Sequence, residues 1–417
     1  MDRGQKRKLP VMCEDEGARF PLDELNQDVL ERVLSWLPTS TFFRNTSVCK
    51  KWKSVADSAT FKLACLQIPA RDPWFFMVDS QSQLNYHPIV FDSTEKAWKK
   101  LNFLPLLQED EYQDSCSNFI PVAASGGLIC FHRAPGEFIA CNPVNSSCRR
   151  LASLDSQWQK SKQLQAIAMT STTASFKLVS VSGEYPYSTL SFRTYNSSTD
   201  QWEEDAILNR KIDNPVETEI ETEDDFSMYF LSKCGNVIST NLQRNPCKQY
   251  SSAIIHKNDE EILYFLSSSG TVVSCNLTHK FFFEYPRILP VFSEYAIDII
   301  ECGGEIYVVV LHEFLETATL RVWTWDEKTQ FWVQIAAMPS AMSHEFYGKK
   351  VDINCTGTGT GTGHQMLVCL NSAENYSYVL CNLVTDEWIE LPQCYMNGES
   401  KELVCAFSFE PRIEASL

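Results

Sequence analysis

Apolar residues near the N-terminus recur with the period of an α-helix. Asp28, Glu31 and Arg32 occupy the opposite, polar side of the same stretch. The pattern predicts an amphipathic helix that ends at Pro38, because proline lacks the backbone amide donor and disfavours helical angles in the residue before it. The apolar positions on the one side are Leu25, Val29, Leu30, Val33, Leu34 and Leu37.

From about residue 60 the pattern changes to short apolar runs separated by Gly, Asn, Asp and Ser, which is typical of β-strands. One element recurs in six copies: an apolar strand ends at Asn or Asp, a polar turn follows, and a Trp or a substitute begins the next strand. Cys148 and Phe282–Phe283 replace the Trp in two copies. Each copy predicts a β-hairpin whose Trp packs between neighbouring sheets. The copies are 90–101, 140–151, 194–205, 274–285, 324–335 and 380–391.

Repeated four-strand units of this kind predict an all-β propeller, with seven blades favoured and six possible. The doubtful seventh blade is the segment 226–255, which has strand-like runs but no closing Trp. The stretch 402–410 alternates apolar and polar residues after the last copy. We expect it to return to the first blade and close the ring, which removes an exposed sheet edge.

Changes in pattern predict the domain boundaries. We expect a disordered, charged N-terminal tail over 1–19, a helical module over 20–66, the propeller over 67–412 and a short tail over 413–417. Two further segments read as loops: the acidic stretch 217–225, which is either a solvated insertion or a contact for a basic partner, and the glycine-threonine repeat 356–363.

Composition narrows the functional classes. The chain has 417 residues and a formal net charge of −17, which argues against nucleic-acid binding, because that requires clustered Lys and Arg. It contains no apolar run long enough for a membrane span and no secretory signal pattern. The 16 cysteines are scattered and form no Cys-x-x-Cys pair, so we expect reduced thiols rather than disulfides or zinc. The expected location is the cytoplasm, the nucleus or both.

Sequence signatures of enzymes are missing from the chain. There is no His-Glu-x-x-His, no Gly-x-Ser-x-Gly and no dinucleotide-binding glycine fingerprint. The seven histidines are spread singly over different repeats. We therefore predict no catalytic residue, no bound metal and no cofactor.

The helical stretch resembles an F-box. Leu37-Pro38, Phe42-Phe43 and Val48-Cys49-Lys50-Lys51-Trp52 match the family pattern in order and spacing, whereas Leu25-Asn26 stands where the family usually opens with Leu-Pro. The repeats resemble the degenerate kelch repeats of plant F-box/kelch proteins. The resemblance implies a small all-α three-helix F-box followed by an all-β kelch-like β-propeller.

The resemblance also implies a function. An F-box protein of this type is a non-catalytic substrate receptor of an SCF-type ubiquitin ligase: the F-box docks on a Skp-family adaptor, and through it on cullin and RING subunits, while the propeller holds a target protein. The sequence does not separate the adaptor-binding face from its supporting core. The implied residues for both are Leu25, Val29, Leu30, Val33, Leu34, Leu37, Pro38, Val48, Cys49 and Trp52.

Two other functional classes stay open at the level of sequence. One is a binding scaffold outside proteolysis, such as a transcription cofactor that uses the propeller to hold a regulator. The other is a propeller enzyme whose turnover is controlled by the F-box, since propellers can build sites from several blades. The sequence does not identify the target protein or the propeller loops that bind it.

Overall fold

The computed structural model describes residues 25–46, 50–79, 88–101, 119–133, 136–153, 163–172, 174–184, 187–211, 229–231, 237–239, 250, 252–267, 270–289, 295–314, 316–359, 363–373 and 375–417. The chain divides into two compact units, Met1–Gln67 and Ile68–Leu417. The predicted tail 1–19 and the acidic stretch 217–225 lie outside the described residues. No helix in the described ranges is long and apolar enough to cross a membrane.

The first unit is helical. Pro38 separates the first two helices, and the Ser58 hydroxyl caps the fourth by accepting the Phe61 amide at 3.4 Å. The Phe42 and Phe61 rings stack with 4.8 Å between centroids inside the unit. The expected three-helix module therefore has a further helix, α4, which contacts α1. The helices are α1 Gln27–Ser35, α2 Thr39–Thr46, α3 Lys50–Val55 and α4 Ala59–Leu66.

The second unit contains antiparallel sheets, each built from strands that follow one another in the chain. The first sheet is the exception, because its inner strand comes from the C-terminal part of the chain. The first sheet has the order β29-β1-β2-β3 and comprises β1 Trp74–Asp79, β2 Ile89–Asp92, β3 Ala97–Lys100 and β29 Leu403–Phe409. The second comprises β4 Ile120–Ser125, β5 Leu128–Arg133, β6 Glu137–Asn142 and β7 Ser147–Arg150. The third comprises β8 Leu164–Ser171, β9 Phe176–Ser182, β10 Thr189–Asn196, β11 Gln201–Trp202 and β12 Ala206–Arg210.

The remaining sheets follow the same order. A separate strand pair comprises β13 Tyr229–Leu231 and β14 Val237–Ser239. The fourth sheet comprises β15 Ser252–Lys257, β16 Glu260–Leu266, β17 Val272–Asn276 and β18 Phe281–Glu284. The fifth comprises β19 Tyr295–Cys302, β20 Glu305–Phe314, β21 Thr317–Asp326 and β22 Phe331–Ala337. The sixth comprises β23 Val351–Gly357, β24 Gln365–Ser372, β25 Tyr376–Asn382 and β26 Glu387–Glu390.

Two of these sheets are joined to each other, and a few short elements lie outside the six sheets. The third and fourth sheets are joined by parallel pairing of β12 with β18 and form one continuous sheet. The short elements are α5 Ser340–Ser343, a 3₁₀ turn at His344–Phe346, β27 Tyr395–Met396 and β28 Glu399–Ser400.

The inner strands of the six sheets form a ring. Strands β29, β4, β8, β15, β19 and β23 contact one another in that order, and β23 contacts β29 again. The result is a propeller-like arrangement. The predicted return of 402–410 is confirmed, since β29 pairs with β1 from Trp74 opposite Phe409 to Asp79 opposite Leu403. The segment 226–255, predicted as a doubtful seventh blade, lies largely outside the described residues.

All six predicted hairpins are present, and their sequence explains their shape. The residue that ends the first strand is Asn or Asp, and its side-chain oxygen accepts amide hydrogen bonds from the turn; Asn382, for example, accepts from Val384 at 3.0 Å. The last turn residue has a left-handed backbone in every copy. These residues are Lys96, Ser146, Asp200, Lys280, Gln330 and Asp386, with φ between 50° and 59°.

The tryptophans of the hairpins pack between neighbouring sheets, as predicted. The indole nitrogens of Trp98, Trp202 and Trp332 each donate a hydrogen bond to a backbone carbonyl just after the last strand of the preceding sheet, at 2.8, 2.6 and 2.8 Å. Buried clusters fill the spaces between consecutive sheets; one of them joins residues of the second and third sheets around Phe138 and Tyr195. The core therefore lies between the sheets, not along the axis of the ring.

The described parts of two predicted loop or tail segments belong to the packed structure. Thr356 and Gly357, the first residues of the glycine-threonine repeat, lie in β23, and Thr358 is buried. Gly357 is required there, because a Cβ would collide with the Glu301 carbonyl oxygen of the adjacent inner strand. The 413–417 segment is not a loose tail: Ile413 is buried, and the Asn142 side chain donates hydrogen bonds to the carbonyls of Arg412 and Ala415 at 2.9 and 3.1 Å.

Candidate functional site

Three apolar side chains form an exposed stripe along α1 and its C-cap residue, Trp36. Val29, Val33 and Trp36 are 48%, 52% and 59% exposed. Their spacing of four and three residues places them on one side of the helix. An isolated exposed apolar residue is ordinary, but a contiguous stripe on one short helix suggests a surface that a partner covers. We call these three residues the α1 stripe.

The remaining apolar residues of α1 support the fold of the unit. Leu30 and Leu34 are buried, and they lie about a quarter-turn or more away from the α1 stripe. The buried set in this unit also includes Phe42, Val55, Phe61 and Cys65. The apolar positions that the sequence assigned to a single side are therefore divided between a core face and an exposed face.

Polar groups occupy part of the buried side of α1. Glu31 is only 2% exposed, and its carboxylate accepts hydrogen bonds from Gln27 at 2.9 Å and from Ser58 at 2.8 Å. The prediction that Glu31 shares the solvent side with Asp28 and Arg32 is wrong. Because Ser58 also caps α4, the Glu31 carboxylate links the two helices and fixes the rotation of α1 that turns the α1 stripe outward.

Hydrogen bonding keeps this buried carboxyl ionised. Burial by itself raises the pKa of Glu31, but hydrogen bonds from Thr60, Gln27 and Ser58 outweigh burial and lower its pKa below the ordinary value of 4.5. Glu31 is consequently an anion at neutral pH. A charged, hydrogen-bonded contact of this kind resists rotation of the helix, because the alternative is an unpaired buried charge.

The ten predicted site residues fall into four groups. Val29, Val33 and Pro38 are exposed, whereas Leu30 and Leu34 are buried. Leu25, Leu37 and Trp52 are intermediate, and the Leu25 carbonyl accepts a hydrogen bond from the Lys51 ammonium at 3.1 Å. Val48 and Cys49 lie outside the described residues.

Two exposed aromatic residues were missed by the sequence reasoning about the site. Trp36 is the member of the α1 stripe that follows Val29 and Val33, and the centroid of its ring lies 5.9 Å from the Arg32 guanidinium carbon. Phe43 is 40% exposed, and its ring lies edge-on to the buried Phe42 at 5.5 Å. The spacing of Trp36 from Val29 was available as a signal, but helical period alone does not reveal which face is outward.

The helical unit has a charge opposite in sign to that of the whole chain. Residues 25–67 contain six Lys or Arg and three Asp or Glu, whereas the whole chain has a net charge of −17. One of these cations, Arg32, lies beside Trp36 of the α1 stripe. This combination suits an acidic partner that covers the α1 stripe.

The ring of the second unit encloses a polar cavity of about 530 Å³. All six inner strands contribute to its wall, including Ser125, Ser171 and Thr356. Glu301 also lines it; burial raises the pKa of Glu301 to about 6, and a hydrogen bond from the Gly304 amide at 2.6 Å opposes that rise. The cavity offers hydroxyl groups and a carboxyl to a polar ligand, and the residues that line it were not identified from the sequence.

The described residues do not assemble a metal site or a recognisable catalytic group. In the ranges that the structure covers, no cluster of three or more His, Cys, Asp or Glu is placed to hold a metal ion. His132 is a core histidine between the rings of Phe138 and Tyr250, at 4.8 and 5.7 Å. Burial lowers the pKa of His132 to about 4, so its imidazole is neutral at physiological pH.

Comparison with known proteins identifies the helical unit. Residues 22–63 match the model of the F-box domain. F-box only protein 13 of Arabidopsis thaliana is 50% identical over 411 residues, which cover 96% of this chain and 86% of the relative. F-box only protein 6 of the same plant is 26% identical over 395 residues, covering 93% and 73%. An F-box/kelch-repeat protein of that plant is 28% identical over 192 residues, covering 44% and 43%.

Proposed function

Because this chain belongs to the F-box protein family, we propose that it is the substrate-recognition subunit of an SCF-type ubiquitin ligase. The helical unit docks on a Skp-family adaptor and through it joins cullin and RING subunits. The β unit binds a target protein for ubiquitination. The protein acts in the cytoplasm, the nucleus or both, as a non-catalytic subunit.

The α1 stripe is the observation that carries the proposal. On this helix the polar Glu31 and Ser35 are buried, while Val29, Val33 and Trp36 face outward. In a monomer that leaves this helix uncovered, burying polar side chains while exposing apolar ones adds no stability to the fold. Each half-exposed apolar side chain contributes about 1 kcal/mol or more when a partner covers it. Trp36 is the expected anchor, because tryptophan is enriched among the residues that dominate interface energies.

The proposed role needs no reacting residue in this chain. A receptor that holds its target beside a ubiquitin-loaded enzyme raises the effective concentration of the target's lysines. The β unit supplies a rigid scaffold for this task, since its inner strands form a closed ring. Its loops and its polar cavity are the candidate surfaces for the target.

We further infer that the β unit is a six-bladed kelch-like propeller, in place of the seven blades that the sequence favoured. Strand β15 follows β8 directly around the ring: the Ser252 hydroxyl donates a hydrogen bond to the Ile167 carbonyl at 2.6 Å, and the Ile167 amide donates one to Tyr250 at 3.3 Å. This direct contact between neighbouring inner strands supports six blades. The hairpins with Asn or Asp and Trp, and the distant relative named for kelch repeats, support the kelch type.

Substitutions in the α1 stripe test the proposed docking. We expect the double variant Val33→Asp, Trp36→Asp to lose about 3 kcal/mol of adaptor binding, roughly a hundredfold in affinity, because two carboxylates would be buried in an apolar interface. The measurement is titration of a purified Skp-family adaptor against the full chain by calorimetry.

A matched control comes from the other unit. Phe331 is 71% exposed in the β unit, so Phe331→Asp adds one of the two negative charges at an exposed aromatic position and should bind the adaptor as the wild type does. Circular dichroism checks that the double variant remains folded, which we expect because neither side chain is in the core. Wild-type adaptor affinity in the folded double variant contradicts the proposed function.

A further inference from the structure

The hairpin between β6 and β7 differs from the other five. In those five, the second residue after the left-handed turn position is Trp or Phe; here it is Cys148. The residue opposite this position is also Cys in two other hairpins, where the pairs are Cys275 with Phe282 and Cys381 with Trp388. Among the described hairpins of this type, only the β6–β7 hairpin places two cysteines opposite each other, Cys141 and Cys148.

The register gives this cysteine pair the spacing of a cross-strand disulfide. The Leu151 amide donates a hydrogen bond to the Phe138 carbonyl at 3.0 Å, which makes those two residues a hydrogen-bonded pair. Pairs alternate along an antiparallel ladder, so Cys141 and Cys148, three positions further on, are a non-hydrogen-bonded pair with Cα atoms about 4.5 Å apart. Disulfides span about 4.4–6.8 Å between Cα atoms, so no backbone movement is required.

The two thiols differ in access to solvent. Cys141 is completely buried, whereas Cys148 is partly exposed on β7, the outermost strand of its sheet. Arg150 follows on the same side of β7, and Arg149 lies between them and pairs with Asp200 of the next sheet at 3.1 Å. Burial raises the pKa of Cys141 well above its usual value, and contact with Cys148 adds to that rise.

We propose that Cys141 and Cys148 form a reversible disulfide when the protein meets a peroxide oxidant. The Cys148 thiolate attacks one oxygen of hydrogen peroxide and becomes a sulfenic acid. The other oxygen leaves as hydroxide, which takes up a proton and becomes water. The Cys141 thiol then attacks the Cys148 sulfur, loses its proton and displaces the hydroxyl group as a second water. Two thiols lose two hydrogens, and one peroxide becomes two waters. The disulfide links strand β7 covalently to strand β6.

A third cysteine nearby does not compete for this bond. Cys130 lies on the neighbouring strand β5, where it is paired with Ala140, while Ile129 is paired with Cys141. Side chains of consecutive strand residues point to opposite faces, so Cys130 and Cys141 face away from each other across the sheet. The geometry selects Cys148 as the partner.

Mass spectrometry of the full chain tests the proposal directly. Trypsin cuts after Arg133 and Arg149, so both cysteines fall in the single peptide 134–149, and Cys130 falls outside it. The native protein is treated with hydrogen peroxide, then quenched, unfolded and alkylated with iodoacetamide. We expect this peptide to lose two hydrogens and to take up no alkyl group, and we expect dithiothreitol to restore double alkylation.

Internal and variant controls make the result decisive. Cys381, which faces Trp388, should remain alkylated in the same sample, and the Cys148→Ser variant should give peptide 134–149 with Cys141 fully alkylated. If oxidation instead leaves Cys141 alkylated in the wild type, with Cys148 carrying two or three oxygens or unchanged, the proposal is overturned. Because the principal test uses the wild-type chain, a folding defect in a variant cannot produce that outcome.

Discussion

Glu31 lies on the buried side of α1, and its carboxylate accepts hydrogen bonds from Gln27 of the same helix and from Ser58 at the start of α4. The apolar residues of α1 would allow several rotations of the helix about its axis. A buried anion with fixed donors allows one, because any other rotation leaves a charge without partners. A single acidic residue thus determines that Val29, Val33 and Trp36 are the residues that remain outside.

The lowered pKa of Glu31 predicts a pH-dependent stability of the helical unit. The folded unit has the lower pKa, so the unfolded state binds the proton more readily, and stability is present above the ordinary value of 4.5 and lost as pH falls below it. We expect Glu31→Gln to destabilise the unit by about 1–3 kcal/mol at neutral pH. Amide hydrogen exchange of α1 in the full chain, measured by mass spectrometry, reports both the pH dependence and the destabilisation by the substitution.

Measuring the wild type and the Glu31→Gln variant at several pH values shows whether the titration of Glu31 causes the pH dependence of stability. The wild type should exchange faster in α1 at pH 4 than at pH 6, after correction for intrinsic rates, whereas the Gln variant should show little further change. An equal pH dependence in both proteins would mean that Glu31 is not the titrating group.

The repeated hairpin is the element from which the β unit is assembled. Asn or Asp closes the turn, a left-handed residue reverses the chain, and an aromatic residue in most copies anchors the outer strand to the preceding sheet. The left-handed position is occupied by residues other than glycine in all six hairpins. Each therefore retains a small conformational cost, of about 1–2 kcal/mol, which glycine would remove.

Gln330 offers a test of that cost in one turn. Its φ is 58° and its side chain is exposed, as is that of Lys328, whose φ is not positive. We expect Gln330→Val to destabilise the β unit by about 1–2 kcal/mol, because a β-branched residue tolerates the left-handed region poorly, and Gln330→Gly to be neutral or stabilising. Lys328→Val is the matched control, with little expected change. The readout is the midpoint of urea unfolding; equal effects at both positions would refute the strain argument.

At the scale of the whole molecule, the ring depends on a pairing between distant parts of the chain. Strand β29 supplies the inner strand of the first sheet, and its removal would leave one edge of β1 unpaired and would take away the contacts that β4 and β23 make with β29. We expect residues 68–417 to fold without the helical unit and to unfold in a single cooperative transition. Residues 68–402 should fail to do so and should aggregate through the open edge.

Size-exclusion chromatography and circular dichroism of the two fragments check this prediction. A helix-dominated spectrum of 68–417 would be inconsistent with an all-β unit. A monomeric, cooperatively folding 68–402 would show that closure of the ring is dispensable.

Local chemistry explains why some features could be predicted from sequence and others could not. The six hairpins are encoded within about a dozen residues each, and so is the helix break at Pro38. The division of α1 into core and exposed faces depends on Ser58, which lies 27 residues from Glu31 in the chain. Gly357 is constrained by Glu301 of another sheet, and residues 413–417 are held by Asn142. Such long-range partners leave no periodic trace in the sequence.

The position of β29 at the inner edge of the first sheet has a consequence for synthesis. The ribosome makes the helical unit before this strand, so every product that stops short of β29 carries the helical unit without a closed ring. Such a nascent chain already possesses its proposed docking helix while its proposed target-binding part is unfinished. We expect the exposed edge of β1 to recruit chaperones until β29 is made, which would delay the release of a proposed receptor that could occupy the adaptor without a folded surface for a target.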